Sequence, residues 1–265
     1  MSPRVFARAL VALLPIVAAR AQTQYEDLDP HRPVAIQDAY AIERYAFELQ
    51  VGPAAIGPTD HATYALETAL AWGALPRTQV ELTAPLASAI STGGHRTAGL
   101  GGLSVGALYG FNVETLSLPA FAIAANVTTT AGPLAPGAPL LTIGAIATRS
   151  APGVRVHLNA AITMGPADTS PLAGERSRWF AGLGVDHAWP TRSLLAIAIV
   201  TTEQPLAPHA ATAWSAGAGA RWQWTPQLVL DAGASRRFTG DAPAWSATIG
   251  VTWTFAVRAL MGIQP

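Results

Sequence analysis

The side chains of this chain that could do chemistry are arginines, carboxylates and one close histidine and asparagine pair. The six histidines stand at 31, 61, 95, 157, 187 and 209 in a sequence without cysteine, and no pair of them has metal-ligand spacing. His157-Leu158-Asn159 places an imidazole and an amide on one face of an extended strand. A membrane lipase using Ser, His and Asn would want such a pair, but no serine stands out as its nucleophile. We therefore expect His157 and Asn159 to be hydrogen-bonded wall residues, with no catalytic residue, metal or cofactor. Gly99-Leu100-Gly101-Gly102 has no helix signal behind it, so it does not read as a nucleotide loop. What remains is a balanced ladder of Arg44, Arg155, Arg178, Arg221 and Arg237 against Glu48, Glu67, Glu81, Asp186 and Asp231. Its members either neutralise one another in a narrow interior or form a charged constriction that orients a solute.

These residues need elements to carry them, and the alternation of apolar and polar residues supplies strands. Alternating segments run over 44–52, 62–74, 78–86, 102–112, 119–129, 140–148, 154–164, 178–189, 193–202, 212–224, 227–237 and 244–256. Each is close to the roughly nine to eleven residues of a tilted membrane strand. Short links at 75–77, 113–118, 149–153, 190–192 and 225–226 alternate with longer ones such as SAISTGGHRTAG and GPADTSPLAGER. That pattern predicts an all-β fold: a twelve-stranded antiparallel up-and-down transmembrane barrel of outer-membrane type over residues 43–257.

A soluble barrel alternates too, so the aromatic residues must decide which face is outside. Tyr64, Trp179, Trp214 and Trp245 follow long loops, and Trp72, Trp189, Trp222 with Trp224, and Phe255 precede the next short turn or the chain end. Their separations are even, so each pair shares one face. At about 3.3 Å per residue and a tilt near 40°, they span roughly 20 to 25 Å, the height between the girdles of a membrane barrel. Indole and phenol rings suit a lipid boundary because they join an apolar body to a polar tip. Between them the same face carries Leu66, Leu70, Leu183, Val185, Ala216, Ala218, Ala220, Ile249 and Val251. The opposite face, with the charge ladder, Asn126, His157 and Asn159, is predicted to line the pore. Glu203 falls on the outward parity in this reading, and Asp168 in a solvated loop.

Composition agrees with a surface not covered by water alone. Half of the 265 residues are apolar and 12% are charged, about half the charged share of a soluble domain. Arg4 and Arg8, an apolar run over 9–19 and Ala19-Arg20-Ala21 form a secretory signal peptide over 1–21. Eleven apolar residues are too few for a helix that needs about 20 to span a membrane. Loss of Arg4, Arg8 and Arg20 from a neutral chain leaves a formal charge of −3, which gives nucleic-acid binding no support. The expected partners are outer-membrane lipid and a small-molecule solute; the oligomeric state is not legible. Residues 22–42 are expected to be a periplasmic segment, and 258–265 a C-terminal tail.

RPVAIQDAYAIERYAFELQ (32–50), WGALPRTQVELTAPL (72–86), GLGGLSVGALY (99–109), VHLN (156–159) and ARWQWTPQLVLDAG (220–233) resemble the outer-membrane barrel family named for the MetA pathway of phenol degradation. The resemblance implies a channel or transporter with a link to aromatic or other apolar small molecules, and no catalytic residues. The chain departs from the family's Gly-Asp-Leu at Gly101-Gly102-Leu103, and from its Pro-x-Gly at Thr130-Ala131-Gly132. The missing carboxylate removes one lumen charge, so a ligand role that the family gives that position is not carried over to this chain. Two other classes compete: a non-transporting envelope barrel that scaffolds surface loops, and a membrane enzyme.

Overall fold

A computed structural model describes residues 18–19, 25–30, 32–57, 62–90, 94–240 and 244–257. Of the leader read at 1–21, Ala18–Ala19 falls within that range, paired with Val257 and Ala256. The rest of it, and the tail over 258–265, lie outside the described residues.

The chain forms a closed antiparallel barrel of twelve strands. They are β1 (Ala46–Gly57), β2 (Thr63–Leu75), β3 in two pieces (Thr78–Thr83, Leu86–Ile90), β4 in two pieces (Arg96–Leu100, Ser104–Gly110), β5 (Ala120–Thr128) and β6 (Leu140–Ala151). There follow β7 (Val154–Met164), β8 (Ser177–Ala188), β9 (Leu194–Pro205), β10 (Ala213–Thr225), β11 (Leu228–Arg237) and β12 (Ala244–Val257). Each strand pairs with its sequence neighbour, and β12 returns to β1 through Phe255↔Phe47 and Trp245↔Gly57. Closure pairs the barrel wall on both sides of each strand and satisfies its backbone from within; the Arg96–Leu100 piece beyond the wall is paired on one side, with Leu86–Ile90.

Two details modify the expected strands. β1 continues past residue 52 through Pro53 to Gly57. Pro53 has no N–H to donate, and the β12–β1 ladder is interrupted between Ala54↔Thr248 and Glu48↔Thr254. The long link after β3 is also partly strand. Leu86–Ile90 pairs with Arg96–Leu100 and carries the hairpin beyond a break at Ala84-Pro85.

Inside and outside are inverted relative to a water-soluble protein. Leu66, Leu70, Leu183, Ile249, Trp214 and Trp224 are exposed, whereas Glu48, Gln50, Gln79, Thr148, His157, Asp186, Arg221 and Thr252 are buried. The interior is not empty. The segment expected at 22–42 as a periplasmic extension is corrected by the structure: its described residues over 28–30 and 32–42 lie within the barrel, with Leu28, Val34, Ile36, Asp38, Ala39 and Ile42 all buried, while 22–24 lie outside the described residues.

Candidate functional site

The inner segment is a collar that follows the wall strand by strand. Read back from β1, the Glu43 carbonyl presses on Gly73 of β2, and the Ile42 amide donates to Gln79 Oε1 of β3 at 3.2 Å. Ala39 packs with Leu108, Ala120, Ala122 and Ile146 of β4, β5 and β6. Gln37 meets Asn159 of β7 twice, its amide donating to Oδ1 at 2.9 Å and its carbonyl accepting from Nδ2 at 2.7 Å. Ile36 lies on Gly182 and Gly184 of β8 and clusters with Leu195, Ile197 and Ile199 of β9. Pro33 crosses Gly219 of β10 and Gly233 of β11, and its carbonyl accepts from Thr248 Oγ1 of β12 at 3.2 Å. Arg32 ends the circuit against Gly52 of β1 and Gly250 of β12.

Glycine makes this approach possible. A Cβ at Gly233 would collide with the Pro33 carbonyl, and one at Gly73 with the Glu43 carbonyl. The wall is therefore shaped to the collar.

Charge fastens it. Arg155 of β7 holds Asp186 through Nε–Oδ1 at 3.0 Å and Nη2–Oδ2 at 2.7 Å, reaches Asp38 at 3.6 Å and donates to the Glu26 carbonyl. Beside it runs one directed chain. The Ala39 amide donates to Thr148 Oγ1 at 3.0 Å, Thr148 Oγ1 lies 3.1 Å from His157 Nδ1, and His157 Nε2 lies 2.9 Å from Asp186 Oδ2. An Nε2-protonated imidazole satisfies every member. The hydroxyl and the imidazole are both fully covered, so this acid, imidazole and hydroxyl line fastens the collar to the wall. On the far side, Arg221 Nη1 meets Asp29 Oδ2 at 2.8 Å. Burial pushes Asp38 up to about 6 against the pull of Arg155 and the amides of Tyr40 and Leu28.

The residues read as a pore ladder fall into three places. Arg155, His157, Asn159, Asp186 and Arg221 meet the collar directly, as above. Glu48 turns inward and accepts from Gln50 Nε2 at 2.8 Å and Thr254 Oγ1 at 3.2 Å. Asp231, buried, sits across from Arg221 in the ladder. Glu81 accepts from Thr83 Oγ1 at 3.0 Å, and Glu67 and Asn126 are half-buried on the inward parity. Two residues depart from the expectation. Arg44 is exposed in the turn before β1, stacked over Tyr45 at 4.4 Å, because the strand begins two residues later than its alternation implies. Arg178 sits at a bulge between Ser177 and Trp179 and donates to the carbonyls of Thr163 and Gly165.

Glu203 is a further correction. It faces inward and pairs with Arg237 at 3.1 Å, because the inward row of β9 is Leu195, Ile197, Ile199, Thr201 and Glu203. Leu28, Val34 and Ile36 give that row an apolar partner inside, so hydrophobicity alone misassigned the face.

The aromatic positions all lie on the outward side. Tyr64, Trp189, Trp214, Trp222, Trp224 and Trp245 are exposed. Trp72 and Phe255 are half-buried because Phe47 stacks between them, 5.9 Å from one and 5.5 Å from the other. Trp179 is half-buried and donates Nε1–H to Gln204 Oε1 at 3.1 Å.

At the long-loop mouth, Leu134 and Leu172 pack on Ala87 and Ala89. Arg176 ties that cap together by donating to Asp168, to Ser170 Oγ at 2.8 Å, and to the carbonyls of Gly101 at 2.8 Å and Leu134 at 3.0 Å. Asp168, expected to be solvated, is buried, since its carboxylate has both a cation and the Ser170 amide at 3.0 Å. Single-strand periodicity has no term for such loop pairs.

No family model and no curated protein matches the chain. Solved structures do. An outer membrane channel from Pseudomonas putida F1 superposes with a TM-score of 0.66 at 12% identity, over 86% of this chain and 100% of that one. The NanC porin gives 0.55 at 9% identity, over 77% and 98%. The KdgM porin, in complex with disordered oligogalacturonate, gives 0.51 at 7% identity, over 78% and 98%. At these identities the likeness is one of fold.

Proposed function

We propose that this chain spans a bacterial outer membrane and passes small polar solutes through its interior, with the 28–42 collar setting the constriction. The observation that carries the reading is the inversion of the barrel, apolar and ring-bearing outside, charged and hydroxylated inside. An apolar belt between two sets of rings suits hydrocarbon and its boundaries, and the polar wall suits a hydrated solute. The likeness to channel and porin folds supports it. Membership in the MetA-pathway barrel family is part of the same proposal and rests on the stretches quoted above.

The inner wall narrows the solute class. Above the collar it offers paired hydroxyls, Ser104 with Thr128 at 2.8 Å, Thr142 with Thr163 at 3.0 Å and Ser235 with Ser246 at 2.6 Å. Among the described residues the strands turn one phenyl, phenol or indole ring inward, that of Phe180, and it packs against the collar's apolar cluster. This wall favours polar solutes over the aromatic ones that the resemblance implied. Proteoliposomes loaded with the refolded chain should swell faster than empty ones in small neutral sugars. Equal rates would remove the channel reading in favour of a non-transporting envelope barrel.

A further inference from the structure

At the short-turn end one link is unlike the others. Between β4 and β5 the chain forms a tongue over 112–119 whose tip, Leu116, is fully exposed, with Val113 at 66% and Leu118 at 46%. It is a built structure. Asn112 Oδ1 accepts from the Phe121 amide at 3.0 Å and its Nδ2 donates to the Pro119 carbonyl at 2.7 Å. The Thr115 amide donates to the Leu118 carbonyl at 2.9 Å. Arg149 of β6 donates to the carbonyls of Thr115 and Leu116 and pairs with Glu114 at 3.5 Å. Glu114 in turn accepts from the Ser150 amide at 2.7 Å and from the Tyr40 hydroxyl at 3.3 Å. Burial acts to raise Glu114, but its donors, Ser150, Tyr40 and Arg149, prevail and hold it below the ordinary carboxylate value.

The tongue stands where the outward belt of rings is incomplete. At this end Trp72, Trp253, Trp224 and Trp189 serve β2, β12, β10 and β8, while Tyr109 and Phe111 meet edge to face at 5.4 Å below β4. The matching outward positions of β6 and β7 are Ala147, Arg149, Val154 and Val156, without a ring. Arg149, on the outward parity of β6, draws the tongue across that gap. Its apolar tips and guanidinium repeat the order found elsewhere on the belt, where Arg77 lies 6.0 Å from the Tyr109 ring. Apolar tips beside cations match a boundary between acyl chains and anionic phosphates.

We infer that the 112–119 tongue seats in the lipid leaflet on the short-turn side, Leu116 entering the acyl boundary and Arg149 meeting headgroup phosphate. The inference rests on the membrane reading above. It also gives the collar an anchor outside the barrel, because Glu114 joins the tongue to Tyr40.

The absence of cysteine makes the test clean. Leu116→Cys, Ile249→Cys on the mid-wall and Gly137→Cys in a long loop are each labelled with an environment-sensitive dye and reconstituted in vesicles with bromine-labelled phosphatidylcholine. Leu116 should be quenched by lipid at least half as strongly as Ile249, with its emission shifted to the blue, while Gly137 is quenched by aqueous iodide alone. Lipid quenching at Ile249 with iodide quenching at Leu116 overturns the inference and leaves the membrane reading standing; the tongue would then face water or a protein partner. Iodide quenching at both positions overturns both.

Discussion

Arg155 Nη1 of β7 and Asp38 Oδ2 of the collar lie 3.6 Å apart, while the same guanidinium holds Asp186 at 2.7 Å. One wall cation thus serves one carboxylate of the wall and one of the inner segment, and their separation measures whether the collar is seated.

Replacing that cation should unseat the collar. Arg155→Ala leaves two carboxylates, each with a side chain 1% exposed, and removal of one partner of such a pair costs roughly 3–5 kcal/mol. The denaturant midpoint in detergent should fall accordingly, and amide exchange should rise first over 25–42. Unchanged exchange in the collar would mean that Arg155 does not clamp it.

Acid should tighten the collar. Seated, Asp38 is pushed up to about 6 by burial; freed into water it returns to the ordinary carboxylate range. Seating therefore takes up a proton. The stabilisation is complete below the free value and is lost as pH rises through about 6. The titratable groups facing Asp38 are Arg155, His157 and the carboxyl of Asp27, with Asp186 behind them. Protease cleavage within 25–42 should be slower at about pH 5 than at about pH 7.5, and Asp38→Asn should reduce the difference, with Asp27, raised by burial, carrying the rest. Faster cleavage at the lower pH would contradict the sign.

Steric fit offers a second handle. Gly233→Ala forces a methyl into the Pro33 carbonyl, whereas the same change at Gly144 meets the Ala160 carbonyl at an ordinary 3.4 Å. Overpacking costs about 1–3 kcal/mol, and it should appear in Gly233→Ala as increased exchange of the collar with the barrel strands intact. Equal behaviour of the two variants would show that the wall is not shaped to this segment.

The loop cap should depend on Arg176. Arg176→Met removes donors to Asp168, Gly101 and Leu134, and a charged hydrogen bond is worth about 1.5–3 kcal/mol. Amides of 129–139 and 165–176 should exchange roughly tenfold to a hundredfold faster, with the collar unaffected. Protection that stays at the wild-type level would assign the cap to Leu134 and Leu172 alone.

The barrel was legible because period-two alternation reports directly on a wall with two unlike sides. Strands such as 154–164 and 227–237 lie within a residue of their expected bounds. The collar was not legible, because its alternation of Val34, Ile36 and Asp38 imitates a short strand and its partners lie far away in sequence. It also hid the parity of β9, where Leu195, Ile197 and Ile199 look outward by hydrophobicity and point inward in fact. The signal available in the sequence was the inward glycines, Gly219, Gly233 and Gly250 on consecutive strands. A wall that needs no bulk at one height has something else there.

Single-channel recording of the refolded full chain beside Gly233→Ala tests the central claim most directly. We expect steady steps from the wild-type barrel and wider ones from the variant, whose collar no longer fits its track. Steps of equal size in the two proteins, or silence from both over many insertions, would contradict a solute path through the interior that the collar constricts.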